Sequence, residues 1–364
     1  MTFFFTLLFC FAIIFKTKQR RMIMLAVVRY ITAIVMVAFN LFNFLFNDYA
    51  YPALSRKDAY LFVYFTGNSV EEQRINMAIS SDGYRFKALN DNEPIIEQEL
   101  GTGCCRDPYI LKGQDGCYYI IATDMDANLG WTSNHALVTW KSEDLINWTD
   151  ETVIDIRDLG GEFANTTRAW APQAIWDPQV EMYMVYWAHS TTENDIAGHY
   201  YAYTKDFKTF ETEPKPLYGR WEEGIQCIDA DIVYNEKNGY YYLYFKYDET
   251  QKIAYVKSKN LTGPYDTEEP VIVSLGYFGV EGSTMYNING TDSWVMIMDE
   301  YGTGHFYTQQ TNDFENFKRV NRDITAMDHL KPRHGSVVTI TAKEYKALKK
   351  EFGVQTIPDN PTIK

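Results

Sequence analysis

A chain of 364 residues could hold two or three average domains or one large repeat architecture. Aromatic residues make up 16% of it, which favours β-structure and aromatic-lined clefts. A formal charge of -14 leaves no basic stripe to neutralise phosphates, so nucleic acid is excluded as a partner and a neutral ligand fits better.

Residues 1–54 read as a hydrophobic leader and short linker. Met1 to Phe15 is almost wholly apolar, residues 16–21 carry Lys16, Lys18, Arg20 and Arg21, and Met22 to Phe46 is predominantly apolar again. The second run is long enough to span a bilayer. By the positive-inside rule the basic cluster stays cytoplasmic, so everything after Phe46 is expected to be exported, whether secreted, periplasmic or anchored facing outward. No small-x-small cleavage site precedes Asn47, which leaves signal peptide and retained anchor both open, with Met22 and Met24 as alternative starts.

From Tyr60 onward, β-rich runs alternate with turn residues, and a helical apolar period emerges only at Lys343 to Phe352. Three hairpins share one pattern, an acidic residue opening a strand, a turn, and an aromatic or apolar return strand. They start at Asp107, Asp229 and Glu281, and their return strands are 118–122, 240–245 and 294–298. Third strands ending in a polar turn and an aromatic clamp recur at 75–86, 136–148, 199–210, 253–265 and 305–317. Repeat starts near Asp107, Trp170, Asp229, Glu281 and Arg333 lie roughly 50 to 65 residues apart, the size of a four-stranded propeller blade.

The expected fold is therefore all-β, a five-bladed β-propeller over residues 55–345, followed by a tail at 346–364. The copy at Tyr60 lacks an inner strand and residues 332–340 form an inner strand without partners, so the two ends are expected to share the closing blade. Closure also removes the open sheet edge. Of the five cysteines, four lie beyond the leader (104, 105, 117 and 227) without regular spacing. They read as free, mostly buried thiols, with a bridge from Cys104 or Cys105 to Cys117 or Cys227 as the alternative.

In a propeller the inner strands gather their starts at one channel mouth, which brings Asp107, Asp229 and Glu281 together from equivalent positions. Repulsion and desolvation among three carboxylates push their pKa values apart, as an acid and a base require. Arg106-Asp107-Pro108, Trp170-Ala171-Pro172-Gln173, Ile228-Asp229, Glu281-Gly282 and Arg333-His334-Gly335, one motif per blade, resemble those of glycoside hydrolase family 43, the arabinofuranosidase, xylosidase and arabinanase type. The resemblance covers roughly residues 58 to 342.

It implies an inverting glycosidase acting on arabinofuranosyl, xylosyl or galactosyl bonds of oligosaccharides or polysaccharides. Asp107 would be the general base, Glu281 the general acid, and Asp229 the residue that orients the acid and tunes its pKa. Ala230 stands where a proline often follows the third-blade Asp, so Asp231 is an alternative modulator, and strand alternation puts both on one face. Arg106, Trp170 and His334 would contact substrate. His334 resembles the family histidine beside a channel cation or water; no cofactor is required, and calcium, if held, would be bound mostly through water and oxygen ligands. Membrane contact is expected only through the leader. Gly-rich phosphate loops, His-Glu-x-x-His and Gly-x-Ser-x-Gly are absent. The competing readings are a sugar-binding propeller without catalysis and a related five-bladed glycosidase or glycoside phosphorylase.

Overall fold

The computed structural model describes residues 58–265, 269–276, 279–321, 325 and 327–355, with positions 27, 31, 49 and 50 upstream. The expected leader lies outside the described residues. Residues 59–340 contribute four strands to each of five antiparallel sheets. In four of them the strands follow chain order from the inside out, starting at Cys105–Lys112, Thr166–Asp177, Cys227–Asn235 and Glu281–Asn287.

The fifth sheet is the exception that closes the ring. Its inner strand is Gly335–Ile340, paired in antiparallel register with Ala59–Tyr64 from Tyr64↔Gly335 to Ala59↔Ile340, and Asn76–Ser80 and Lys87–Ala88 follow outward. Blades one to four are numbered in chain order, and this is the closing blade. Both ends of the domain thus meet in one sheet, as the split repeat implies.

The second and third strands are buried on both faces because they lie between neighbouring blades. This is why runs such as Tyr240–Tyr247 and Trp294–Glu300 are apolar or aromatic with little alternation. Five hydrophobic clusters form among the described residues, one at each interface around the ring. Ile120 and Trp140 of blade one meet Leu61 and Ile79 of the closing blade, and Phe62 and Phe86 meet Ile297 and Phe306 of blade four. The other three join blades one and two, two and three, and three and four. Helix Ala342–Phe352 is capped by Thr341 and Glu344 in a reciprocal capping box and buries Leu348 in the first cluster. Packing therefore continues past residue 345, where the sequence reading began a tail. Cys104, Cys105 and Cys227 are buried and Cys117 is half-buried, all as free thiols.

An inner strand has no sheet partner on its channel side, so its amides need other acceptors. Side chains of the preceding blade supply them. Ser336 Oγ accepts from Ile110 N at 2.8 Å, Tyr186 Oη from Ile232 N at 3.0 Å, and Asp231 Oδ2 from Met285 N at 2.6 Å.

Candidate active site

One local device shapes the mouth of the channel. Each of the first four inner strands carries a bulge near its start, where two residues oppose one on the second strand. The first bulged residue is left-handed in every case: Asp107 at φ 51°, Ala171 at 46°, Asp229 at 57° and Gly282 at 58°. Such a conformation costs an L-residue on the order of 1 kcal/mol or more, and it turns side chains that would alternate across the sheet toward the mouth. At Gly282 even an alanine is excluded, since a Cβ there would lie 2.4 Å from the His334 ring.

The bulges revise the register read from sequence. Asp107 and Asp229 are equivalent to each other and to Gly282, whereas Glu281 stands one position earlier, level with Arg106, Trp170 and Ile228. All three carboxylates nevertheless converge. Arg106, Asp107, Trp170, Asp229, Glu281 and His334 line a single cavity, with Phe65, Trp131, Ile228 and Arg333 among its other walls. Asp231 does not join them. The bulge between Ile228 and Asp231 breaks the alternation that would have put Asp229 and Asp231 on one face. Asp231 lies deeper, bonded to Met285 N, and lines a separate cavity with Lys237, Asn287 and Trp294.

Each carboxylate has a different environment. Asp107 receives the Thr123 hydroxyl at 3.0 Å on Oδ2 and faces His334 Nδ1 at 3.5 Å from Oδ1. Burial works against its charge, but His334, Arg106 and Thr123 outweigh burial and hold its pKa below the ordinary Asp value. Asp229 accepts from Gly282 N at 3.0 Å and lies 4.0 Å from His334 Nδ1. Burial, then the charges of Glu281 and Asp107, raise it to about 6 against the opposing pull of His334. Glu281 is gripped on both oxygens, by Lys246 Nζ at 3.1 Å and by Arg333 at 3.3 Å. Arg333 also pairs with the buried Asp299, which burial raises to about 6.

His334 is 5% exposed, and burial disfavours its charge. The facing Asp107, then Asp229 and Glu281, overcome this and raise its pKa to about 9. It is thus a cation at neutral pH. Its Nδ1 faces Asp107 Oδ1 and Asp229 Oδ1, so that edge of the ring is turned to two carboxylates. Among the described residues no group of three His, Cys, Asp or Glu side chains could hold a metal.

Arg106 is held from behind by Asn68 Oδ1 at 2.8 Å and stacks over Phe65 at 4.4 Å and Trp131 at 5.3 Å. Trp170 donates its indole N–H to Asn134, meets Trp131 edge to face at 6.3 Å, and carries Arg168 over its ring at 5.0 Å. Sequence reading missed Thr123, Lys246 and Asp299. The pairings Thr123↔Arg106, Lys246↔Ile228 and Asp299↔Glu281 put them at one equivalent position of the second strands. Their signal was a polar residue late in an otherwise apolar strand.

A family model described as a probable glycosyl hydrolase domain matches residues 56–346. An α-L-arabinofuranosidase from Bifidobacterium longum subsp. longum is 30% identical over 239 residues, covering 56% of this chain and 22% of that protein. The match thus spans about a fifth of that relative's length. A putative exo-β-1,3-galactanase from Bifidobacterium bifidum superposes with a TM-score of 0.53 at 11% identity, covering 74% of this chain and 90% of that one. An endo-arabinanase of glycoside hydrolase family 43 from Bacillus licheniformis gives 0.51 at 15% identity, covering 71% and 93%. These two likenesses concern the fold; the family match covers the whole propeller, and the chain belongs to the glycosyl hydrolase domain family related to glycoside hydrolase family 43.

Proposed function

We propose that the protein is an exported, inverting glycosidase that removes neutral arabinofuranosyl or similar pentosyl and galactosyl units from oligosaccharides or polysaccharides. The observation that carries this reading is the meeting of Asp107, Asp229 and Glu281, from three blades, in one cavity walled by Trp170 and Trp131. Asp107, depressed and therefore ionised, accepts a proton from water as the water oxygen attacks the anomeric carbon. The bond from that carbon to the glycosidic oxygen breaks, and the departing oxygen takes the proton of Glu281. Attack opposite to departure inverts the anomeric carbon in one step. Asp229 accepts from the Gly282 N–H, beside Glu281, and acts on the acid through charge and position. No step runs through calcium.

The arabinofuranosidase relative supports the pentosyl choice, and the carboxylate-rich cavity disfavours anionic sugars. The leader, with basic residues between two apolar runs, supports export. A phosphorylase would need cations at the mouth to neutralise phosphate, but Arg333 and Lys246 are paired with carboxylates. A purely binding propeller would not need the complete acid and base pair.

The test is a leaving-group contrast. Glu281→Gln should lose roughly 10²- to 10⁴-fold on oligosaccharides, the usual size of a general-acid effect, but recover most of its rate on nitrophenyl glycosides, whose leaving group needs no proton. Asp107→Asn should lose a comparable factor on both, because the water still lacks its base. Activity of Asp107→Asn on oligosaccharides would defeat the assignment.

A further inference from the structure

A second cavity opens at the same end of the propeller, where blade two meets the loop leading into blade three. His189, Ser190 and Thr191 continue the second strand of blade two beyond Ala188, which pairs with Trp170 of the catalytic cavity. On the other side the segment closed by Arg220 and Ile225 carries Trp221 and runs into the inner strand that bears Asp229. Two ladder steps, roughly 7 Å along the strand, separate the Trp170 and Arg168 pairings. Arg168 spans that interval, with its guanidinium over Trp170 and bonds to Ser190 Oγ at 3.2 Å and Asp195 Oδ1 at 2.6 Å.

The cavity is built rather than incidental. Trp221 and Tyr200 stand edge to face with centroids 6.0 Å apart, and His189 packs on Tyr200 at 4.7 Å. The Trp221 ring lies against Gly198 and Gly219, where an added Cβ would come within 2.4 and 2.6 Å of it, so both positions must lack a side chain for the ring to sit there. His189 is 4% exposed, and burial lowers its pKa to about 4, which leaves it neutral. Its Nδ1 has no hydrogen-bond partner in the protein. Nδ1 is itself closed to solvent, so a partner from the cavity that His189 lines reaches it when the imidazole turns toward that cavity. Glu162 and Glu193 add acceptors at the rim and repel anions.

We infer that this cavity is a further saccharide subsite, which seats a neutral sugar residue of the same chain whose terminal unit occupies the catalytic cavity. The inference rests on the glycosidase reading. Ring C–H groups lie against Trp221, one hydroxyl pairs with His189 Nδ1 as the imidazole turns toward it, and others donate to the rim carboxylates. The enzyme then measures chain length beyond the bond it breaks.

The test uses the full chain, a nitrophenyl arabinofuranoside, and linear arabino-, xylo- and galacto-oligosaccharides of graded length. In the wild type, kcat/KM should rise with length to a plateau. Trp221→Ala, and separately His189→Phe, should lower the ratio of kcat/KM on the longer substrate to that on the aryl glycoside about tenfold, mainly through KM. Cooperative thermal unfolding checks each variant. Should Trp221→Ala fail to fold, His189→Phe, which keeps an aromatic ring and removes the nitrogens, carries the test. If the aryl glycoside is cleaved but that ratio does not move in the folded variants, or wild-type kcat/KM is flat with length, the subsite is refuted and the glycosidase reading stands. If no glycoside of any series is turned over, both fall.

Discussion

The channel mouth and the outer turns are built on the same five-fold repeat, yet they use it in opposite ways. At the outer turns four blades do the same thing. Ser80, Ser142, Thr204 and Thr311 each accept from the amide three residues on, at 2.8 to 3.0 Å. Asp82, Asp144, Asp206 and Asp313 each take two further amides, and the residue after the Asp is left-handed. At the mouth the same bulge recurs, but it carries Asp, Ala, Asp and Gly in turn, and the second-strand residue paired just before it is Thr, Ala, Lys and Asp. Repetition at the turns ends the third strand of each of these blades in the same way. Variation at the mouth gives one carboxylate a depressed pKa and another a raised one within a single cavity.

That contrast can be broken from either side. The largest effect is expected at the mouth, where Asp229→Asn should cost roughly 10²-fold in kcat. Above pH about 6 Asp229 is charged and opposes ionisation of its neighbour, so the amide should also move the alkaline limb of the pH–rate profile to lower pH. An unmoved limb would separate Asp229 from the acid.

Asp231→Asn, two residues on, should leave that limb in place and change stability instead. Burial raises the folded Asp231 carboxyl to about 7, whereas in the unfolded chain it ionises near pH 4. The sign follows: folding stability is lost as pH climbs from about 4 to 7 and stays lost above. The amide escapes this and can still accept from Met285 N, so at pH 8 the variant should be more stable by an amount on the order of 2 kcal/mol. Denaturant titrations at pH 4 and pH 8 check it, and equal gains at both would contradict it. The smallest effect belongs to the turns. Asp206→Ala removes acceptors for Lys208 N and Thr209 N and should cost about 1 kcal/mol of stability, with kcat/KM within twofold of wild type.

The fold was legible because repetition is an averaged signal. Each hairpin was ambiguous alone, but the spacing of all of them, and the missing inner strand at Tyr60, required five blades and a shared closing sheet. That six of the expected residues line one cavity was legible for the same reason, through their place at or beside repeat starts. What the sequence hid came from single-residue geometry. A two-period pattern puts Asp229 and Asp231 on one face and Glu281 level with the two aspartates; one bulge per strand overturns both. The grip of Lys246 and Arg333 on Glu281 was equally hidden, because one residue lies on a second strand and the other at the far end of the chain.

In the proposed mechanism Asp107 directs water onto the face opposite the bond that Glu281 protonates. Proton NMR of the sugar first released, recorded before mutarotation, tests it most directly. Inverted anomeric configuration is the predicted result; retained configuration would mean that a carboxylate attacks the sugar itself, and would contradict the assignment of Asp107 as a base.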